Sequence, residues 1–228
     1  MNTRTRNILE DLEAVRENLL ALSDDIWGSI DREHIDAFDE GVQFMRNYIE
    51  RMTEFDRVAE DISSMVQQYT SVRLAEGEQS GGDNREENDR IVAELNHETP
   101  HSIDEDFTYK RPHGYILDGA ATTGITTWRR LFELLCNQLL RRDHDRFHGL
   151  PDHPNLISNR GNRSFSRNTD ELRSATESGD GLYAEINLSA NSLCSTIKKL
   201  HDIFDIPRDH LQLFLRQDRD AGRSNDGT

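Results

Sequence analysis

Residues 181–207, GLYAEINLSANSLCSTIKKLHDIFDIP, decide the fold of this chain. Leu182, Ala184, Ile186 and Leu188 alternate with Tyr183, Glu185 and Asn187, the two-residue period of a strand with one buried face. At Ser189 the period changes. Leu193, Ile197, Leu200 and Phe204 recur at helical spacing, Ser189 stands at the cap position, and Pro207 stops the run. A strand that leads directly into a capped helix defines an α+β unit, and the flanking sequence extends it.

Downstream, HLQLFLR (210–216) alternates again, with Leu211, Leu213 and Leu215 opposed to Gln212 and Phe214. Upstream, HGYILDGAATTGITTW (113–128) reads as two short strands around an Asp118-Gly119 turn. Thr126 or Thr127 then caps a helix with a core stripe of Trp128, Leu131, Leu135 and Leu139, widened by Phe132, Leu134 and Leu140. Asp143 caps a short helix holding Phe147, and 149–180 is a polar loop with one short strand at 163–166. Residues 107–217 are therefore expected to form an α+β domain over a short mixed or antiparallel sheet, followed by a disordered tail at 218–228.

The N-terminal part has a different period. Ile8, Leu12, Val15, Leu19, Leu22 and Ile26 step by four and three, the seam of a coiled coil. After a break around Gly28, with Ser29 or Asp31 available as a cap, a second stripe runs from Ile35 to Val72. Gly41 weakens that helix by about 1 kcal/mol without breaking it. Residues 1–73 are expected to be a long helical hairpin or coiled coil, and the longer second stripe leaves apolar surface either for a second copy or for the C-terminal unit of the same chain. A homodimer through these helices is the expected partner arrangement. Residues 74–106 read as an acidic linker, partly disordered, because 76–90 contain no apolar side chain, with IVAEL (91–95) adding a helical turn or two before Pro100.

The net charge is −16, with 24 Arg against 3 Lys and 24 Asp against 19 Glu. This composition resembles that of proteins from extreme halophiles, in which dense surface carboxylates work in concentrated, screening salt. The charge is uneven: residues 1–100 carry 10 Arg and 24 acids, whereas the span 129–173 carries 9 Arg and 6 acids. No apolar run is long enough to cross a membrane, no apolar leader opens the chain, and the two cysteines lie in apolar helical segments. A cytoplasmic protein with two buried thiols is expected.

The local reversal of charge carries the candidate ligand site. Arg160, Arg163 and Arg167 are interleaved with Ser, Asn and Phe165, a set suited to phosphates and stacked bases, and the helix start at Ser189 offers free N–H groups to an anion. The alternative is that the arginines pair with acidic helices. His144 and His148 are one helical turn apart, near His153, with Asp145 or Asp152 as completing acids. In an exposed, proline-broken segment they read as polar loop residues, and neither metal nor cofactor is expected. Asp170 and Glu185 could be nuclease acids, but Asn187 stands where such a site needs Lys. No phosphate-binding glycine loop or paired CxxC is present.

The segments KRPHGYILDG (110–119), TWRRLFELLCNQLLRRDHDRF (127–147), SRNTDELR (166–173) and GLYAEINLSANSLCSTIKKL (181–200) together resemble an uncharacterised prokaryotic module of DNA-processing and defence proteins. The resemblance covers about residues 107–217, its motifs are fold-forming, and it implies no active site to carry over. The expected function is that of a non-catalytic oligomerising protein whose C-terminal domain binds a partner, nucleic acid being the candidate. A protein–protein adaptor is the first alternative, and a metal-dependent enzyme such as a nuclease is the second.

Overall fold

The structure, a computed structural model, describes residues 2–72, 78–79 and 85–216. The expected tail at 218–228, and most of the stretch 73–84, lie outside the described residues. The fold is α+β: two long helices followed by a small domain with antiparallel sheets.

Helices α1 (Asn2–Ser29) and α2 (Ile35–Thr70) form the expected hairpin and run antiparallel, with Arg16 beside Asp56 and the Tyr48 hydroxyl donating to the Leu19 carbonyl at 2.8 Å. Neither Ser29 nor Asp31 caps α2. Asp31 instead organises the turn by accepting from the Glu33 amide, and His34 occupies the cap position. At Gly41 a side chain would collide with Ile30, 2.7 Å from an added Cβ, so the connecting loop folds closely over the start of α2.

The hairpin's buried face differs from the expected seam. Ile8, Val15 and Leu22 are exposed, whereas Leu9, Ala14, Arg16, Leu20 and Ala21 are buried. The reason is a third surface: α1 contacts both α2 and the C-terminal domain, so its enclosed arc turns toward that domain. Contacts across this junction include Ser174 Oγ to Asp56 at 3.1 Å and the Tyr109 hydroxyl to Asp25 at 2.7 Å. Arg129 joins them by reaching Glu60 at 3.4 Å.

Much of the expected linker is folded. Residues 85–106 are packed rather than extended: α3 (Arg85–Leu95) buries Ile91 and Leu95, and Ile103 is enclosed in the main core. Strands β1 (Glu78–Gln79), β2 (Pro112–Leu117), β3 (Ala120–Thr123) and β7 (Leu211–Leu215) make one antiparallel sheet in the order β1-β3-β2-β7. Asp118 and Gly119, both at positive φ, turn β2 into β3 as the dipeptide predicts. One face of this sheet meets the main core and α3 covers the other, where Ile91 and Leu95 cluster with Ile116, Ala121 and Phe214. This explains why Phe214 is buried although it alternates with Leu213.

The second sheet has the order β4-β6-β5, built from β4 (Phe165–Ser166), β5 (Ala175–Gly179) and β6 (Leu182–Glu185). Helix α4 (Trp128–Arg142) is capped by Thr127, α5 (His144–His148) by Asp143, and α6 (Ala190–Ile203) by Ser189. Their apolar faces meet Phe147, Phe165, Leu182 and Ala184 in one continuous core. Cys136 and Cys194 are buried free thiols, and burial raises both, Cys194 to about 12, which suppresses thiolate chemistry.

Candidate functional site

The arginine loop leaves α5 through two 3-10 turns and returns as β4. Ile157 bridges Arg163, which closes the loop at its base, and Gly161 at φ +80 turns its tip. Arg160 is exposed at that tip.

Arg163 and Arg167 point back onto the domain. Arg163 donates to the Pro151 carbonyl and lies 3.5 Å from Glu171 and 4.0 Å from Asp152. Arg167 reaches Asp152 at 3.2 Å and donates to the His148 carbonyl at 2.6 Å. Other arginines of the positive span are also partnered: Arg129 and Arg130 by Glu133, Arg142 by Asp118, and Arg146 by Asp143 and Asp205. The local excess of arginine is thus largely taken up by ion pairs within the chain, some inside α4 and others, such as Arg142 with Asp118 and Arg146 with Asp205, joining a helix to a loop. Arg163 and Arg167 retain 32% and 55% side-chain exposure, so a phosphate reaching them would compete with Asp152.

Ser189 lies elsewhere, against the hairpin. Its hydroxyl accepts from the Ser192 amide and donates to the Asp24 carboxylate of α1. The residue is buried, at the edge of a cleft of about 110 Å³ that Asp24, Tyr48, Arg173 and Asn187 also line. A carboxylate at the helix start occupies the place an anion would take, and it repels a second one. Ser189 therefore joins the two halves of the molecule, and none of Arg160, Arg163 and Arg167 lines its cleft.

Glu185 is also structural. Its carboxylate accepts from the backbone amides of Arg173, Ser174 and Asn187 at 2.7, 3.3 and 3.1 Å and holds the strand end in place. Asp170 is exposed on a 3-10 turn. The histidine group is assembled differently from the expected set: His144 and His148 meet Asp180 of the β5–β6 turn, while the His153 ring accepts from the Asn155 amide. Asp180 stands between Gly179 and Gly181, a turn signal inside the stretch expected as polar loop, but its position beside α5 has no sequence signal.

The larger cleft, about 270 Å³, lies between α2 and the start of α4 and is lined by Glu13, Glu60, Ser63, Arg129, Arg130 and Glu133. Its charges of both signs already pair with each other. Among the described residues, no helix is long and apolar enough to cross a membrane. No family model, curated protein or solved structure matches the chain.

Proposed function

We propose that this protein is a non-catalytic assembly protein that pairs with a second copy through α2 and presents the α+β domain to a further partner. The supporting observation is a row of apolar side chains left open on α2: Val58, Ile62, Met65 and Tyr69 are 47%, 43%, 62% and 88% exposed. Their spacing of four, three and four is that of a coiled-coil seam. The hairpin partner and the C-terminal domain take up the other faces of α2, through Met45, Met52, Ala59, Asp56 and Ser63. Exposed Arg51, Glu54, Arg57 and Asp61 flank the row with both signs, which suits a face meeting its own copy better than a uniformly charged partner. A standard interface takes ~800 Å² from each partner, and a helix of 36 residues, ~54 Å long, offers a face of that size.

The mass in solution tests this. Light scattering of the full chain across salt concentrations is expected to give a dimer, and Ile62→Glu with Met65→Glu a folded monomer. A wild type that stays monomeric at every salt concentration, or a double variant that remains dimeric, rejects the pairing.

A second reading, nucleic-acid binding through Arg160, Arg163 and Arg167, is supported by the exposed Arg160 tip and by the resemblance of residues 107–217 to a module of DNA-processing proteins. The pairing of Arg163 and Arg167 with Asp152 weighs against it. Fluorescence anisotropy of the full chain with duplex and single-stranded probes decides this reading. It requires a salt slope that shrinks in the triple alanine variant. Absence of binding at low salt leaves the assembly reading alone.

A further inference from the structure

Three side chains from two separate segments converge beside the arginine loop. Asp143 caps α5 by accepting from the Arg146 amide at 3.0 Å, which fixes His144 and His148 one turn apart on the same face. Asp180 sits in the β5–β6 turn at φ 51, between Gly179 and Gly181, both at positive φ. Gly179 is favoured there by its φ of +116°, a conformation that L side chains rarely adopt, and the Leu140 side chain of α4 packs against it, 2.5 Å from where a Cβ would lie.

We infer that His144, His148 and Asp180 form a binding site for a divalent transition-metal ion of the Zn²⁺ class. One ligand atom from each lies within 4.8 Å of the other two. His144 Nε2 is 3.1 Å and His148 Nε2 3.8 Å from Asp180 Oδ2, and the imidazole centroids are 4.4 Å apart. In a tetrahedral site with bonds of about 2.0–2.1 Å, ligand atoms are separated by roughly 3.3 Å, so the group lies within a small side-chain rotation of coordinating geometry.

A second observation points to a ligand. His148 Nε2 is enclosed and has no hydrogen-bond partner, although it faces this group. A coordinate bond satisfies such a nitrogen, whereas leaving it desolvated and unpaired is costly. On the other side of His144, Nδ1 lies 3.5 Å from Asp145, the outer carboxylate that commonly orients a ligating imidazole. Two imidazoles with one carboxylate select borderline metals over Mg²⁺ or Ca²⁺, which take oxygen ligands. His144 and Asp180 are 61% and 58% exposed at the side chain, so a fourth position opens to water. A bound ion joins α5 to the β5–β6 turn, 32 residues beyond His148.

The site is independent of how the chain assembles. The test is titration of the full-length, chelator-stripped protein with Co²⁺, read by visible absorption, followed by displacement with Zn²⁺. One Co²⁺ per chain is expected, released by Zn²⁺. His148→Ala and Asp180→Asn should weaken binding by more than the ~10–100-fold typical of an outer-shell change, and Asp145→Asn by about 10-fold. His153→Ala should leave it unchanged. Asp180→Asn changes an exposed turn residue, so circular dichroism can verify that the variant remains folded. The inference is overturned by an absent Co²⁺ spectrum, by affinity unchanged in folded Asp180→Asn, or by preference for Mg²⁺ or Ca²⁺.

Discussion

Arg16 of α1 donates through Nε to the Asp56 carboxylate of α2, and both side chains are almost completely enclosed, at 3% and 5% exposure. Asp56 also accepts from Ser174 Oγ of the C-terminal domain at 3.1 Å, so one carboxylate connects the two helices and the domain.

Removing one charge of this pair leaves the other buried without its partner. Asp56→Ala is expected to cost about 3–5 kcal/mol, measured by denaturant unfolding. Replacing both partners, as Arg16→Met with Asp56→Leu, should recover most of that loss. If the double variant is no more stable than Asp56→Ala, the pair is not the source of the effect.

Glu17 gives the junction a pH dependence. Its carboxylate accepts from the Trp128 amide at the start of α4, while Oε2 is enclosed without a partner. Burial raises this carboxyl from 4.5 to about 8, against the Trp128 amide, which lowers it. The folded state therefore holds a proton that the unfolded chain releases above pH 4.5. The contribution is fully present below that pH and declines as pH rises toward about 8, by up to ~1.4 kcal/mol per pH unit. Glu17→Gln should remove this component, so its stability relative to wild type should increase between pH 5 and 8. Parallel stability profiles for the two proteins would contradict this.

His201 acts in the opposite direction. It is buried in α6, and neither ring nitrogen makes a well-formed hydrogen bond. Burial holds the imidazole below its ordinary 6.5, and the nearby Pro207 carbonyl and Asp118 only partly offset this. A depressed value stabilises the fold above 6.5 and loses that contribution as pH falls through the folded value. His201→Leu is expected to flatten the acid limb of a thermal-melt series. An unchanged acid limb would assign the sensitivity to other groups.

Ser189→Ala separates a fold role from a ligand role. Loss of the cap and of the Asp24 contact should cost about 1 kcal/mol in thermal unfolding. It should leave any nucleic-acid affinity unaffected. A fall in affinity with unchanged stability would return Ser189 to a binding surface.

Local chemistry made much of this molecule readable. Periodicity and cap residues specified the β6–α6 junction at Ser189, the Asp143 cap of α5 and the Asp118-Gly119 hairpin, and narrowed the α4 cap to Thr126 or Thr127, of which the structure uses Thr127, because each depends on groups within a few positions of one another. The same signals identified α1 and α2 but misplaced the buried face of α1, since helical spacing does not reveal a third body packed alongside. In the expected linker they show only the helical turn at 91–95: α3 is strongly polar, and Ile91, Leu95 and the partly buried Val92 are its apolar contribution to the cluster under the sheet.

The sequence by itself determined the α+β class, the helical hairpin and the caps that begin α4, α5 and α6. Only the tertiary structure decided which distant polar groups meet. Asp56 with Ser174, Ser189 with Asp24, and His148 with Asp180 join residues 118, 165 and 32 positions apart. The pairing of Arg163 and Arg167 with Asp152 likewise required a closed loop. Secondary structure follows from neighbours along the chain, whereas a site depends on side chains that become neighbours only after the core has packed.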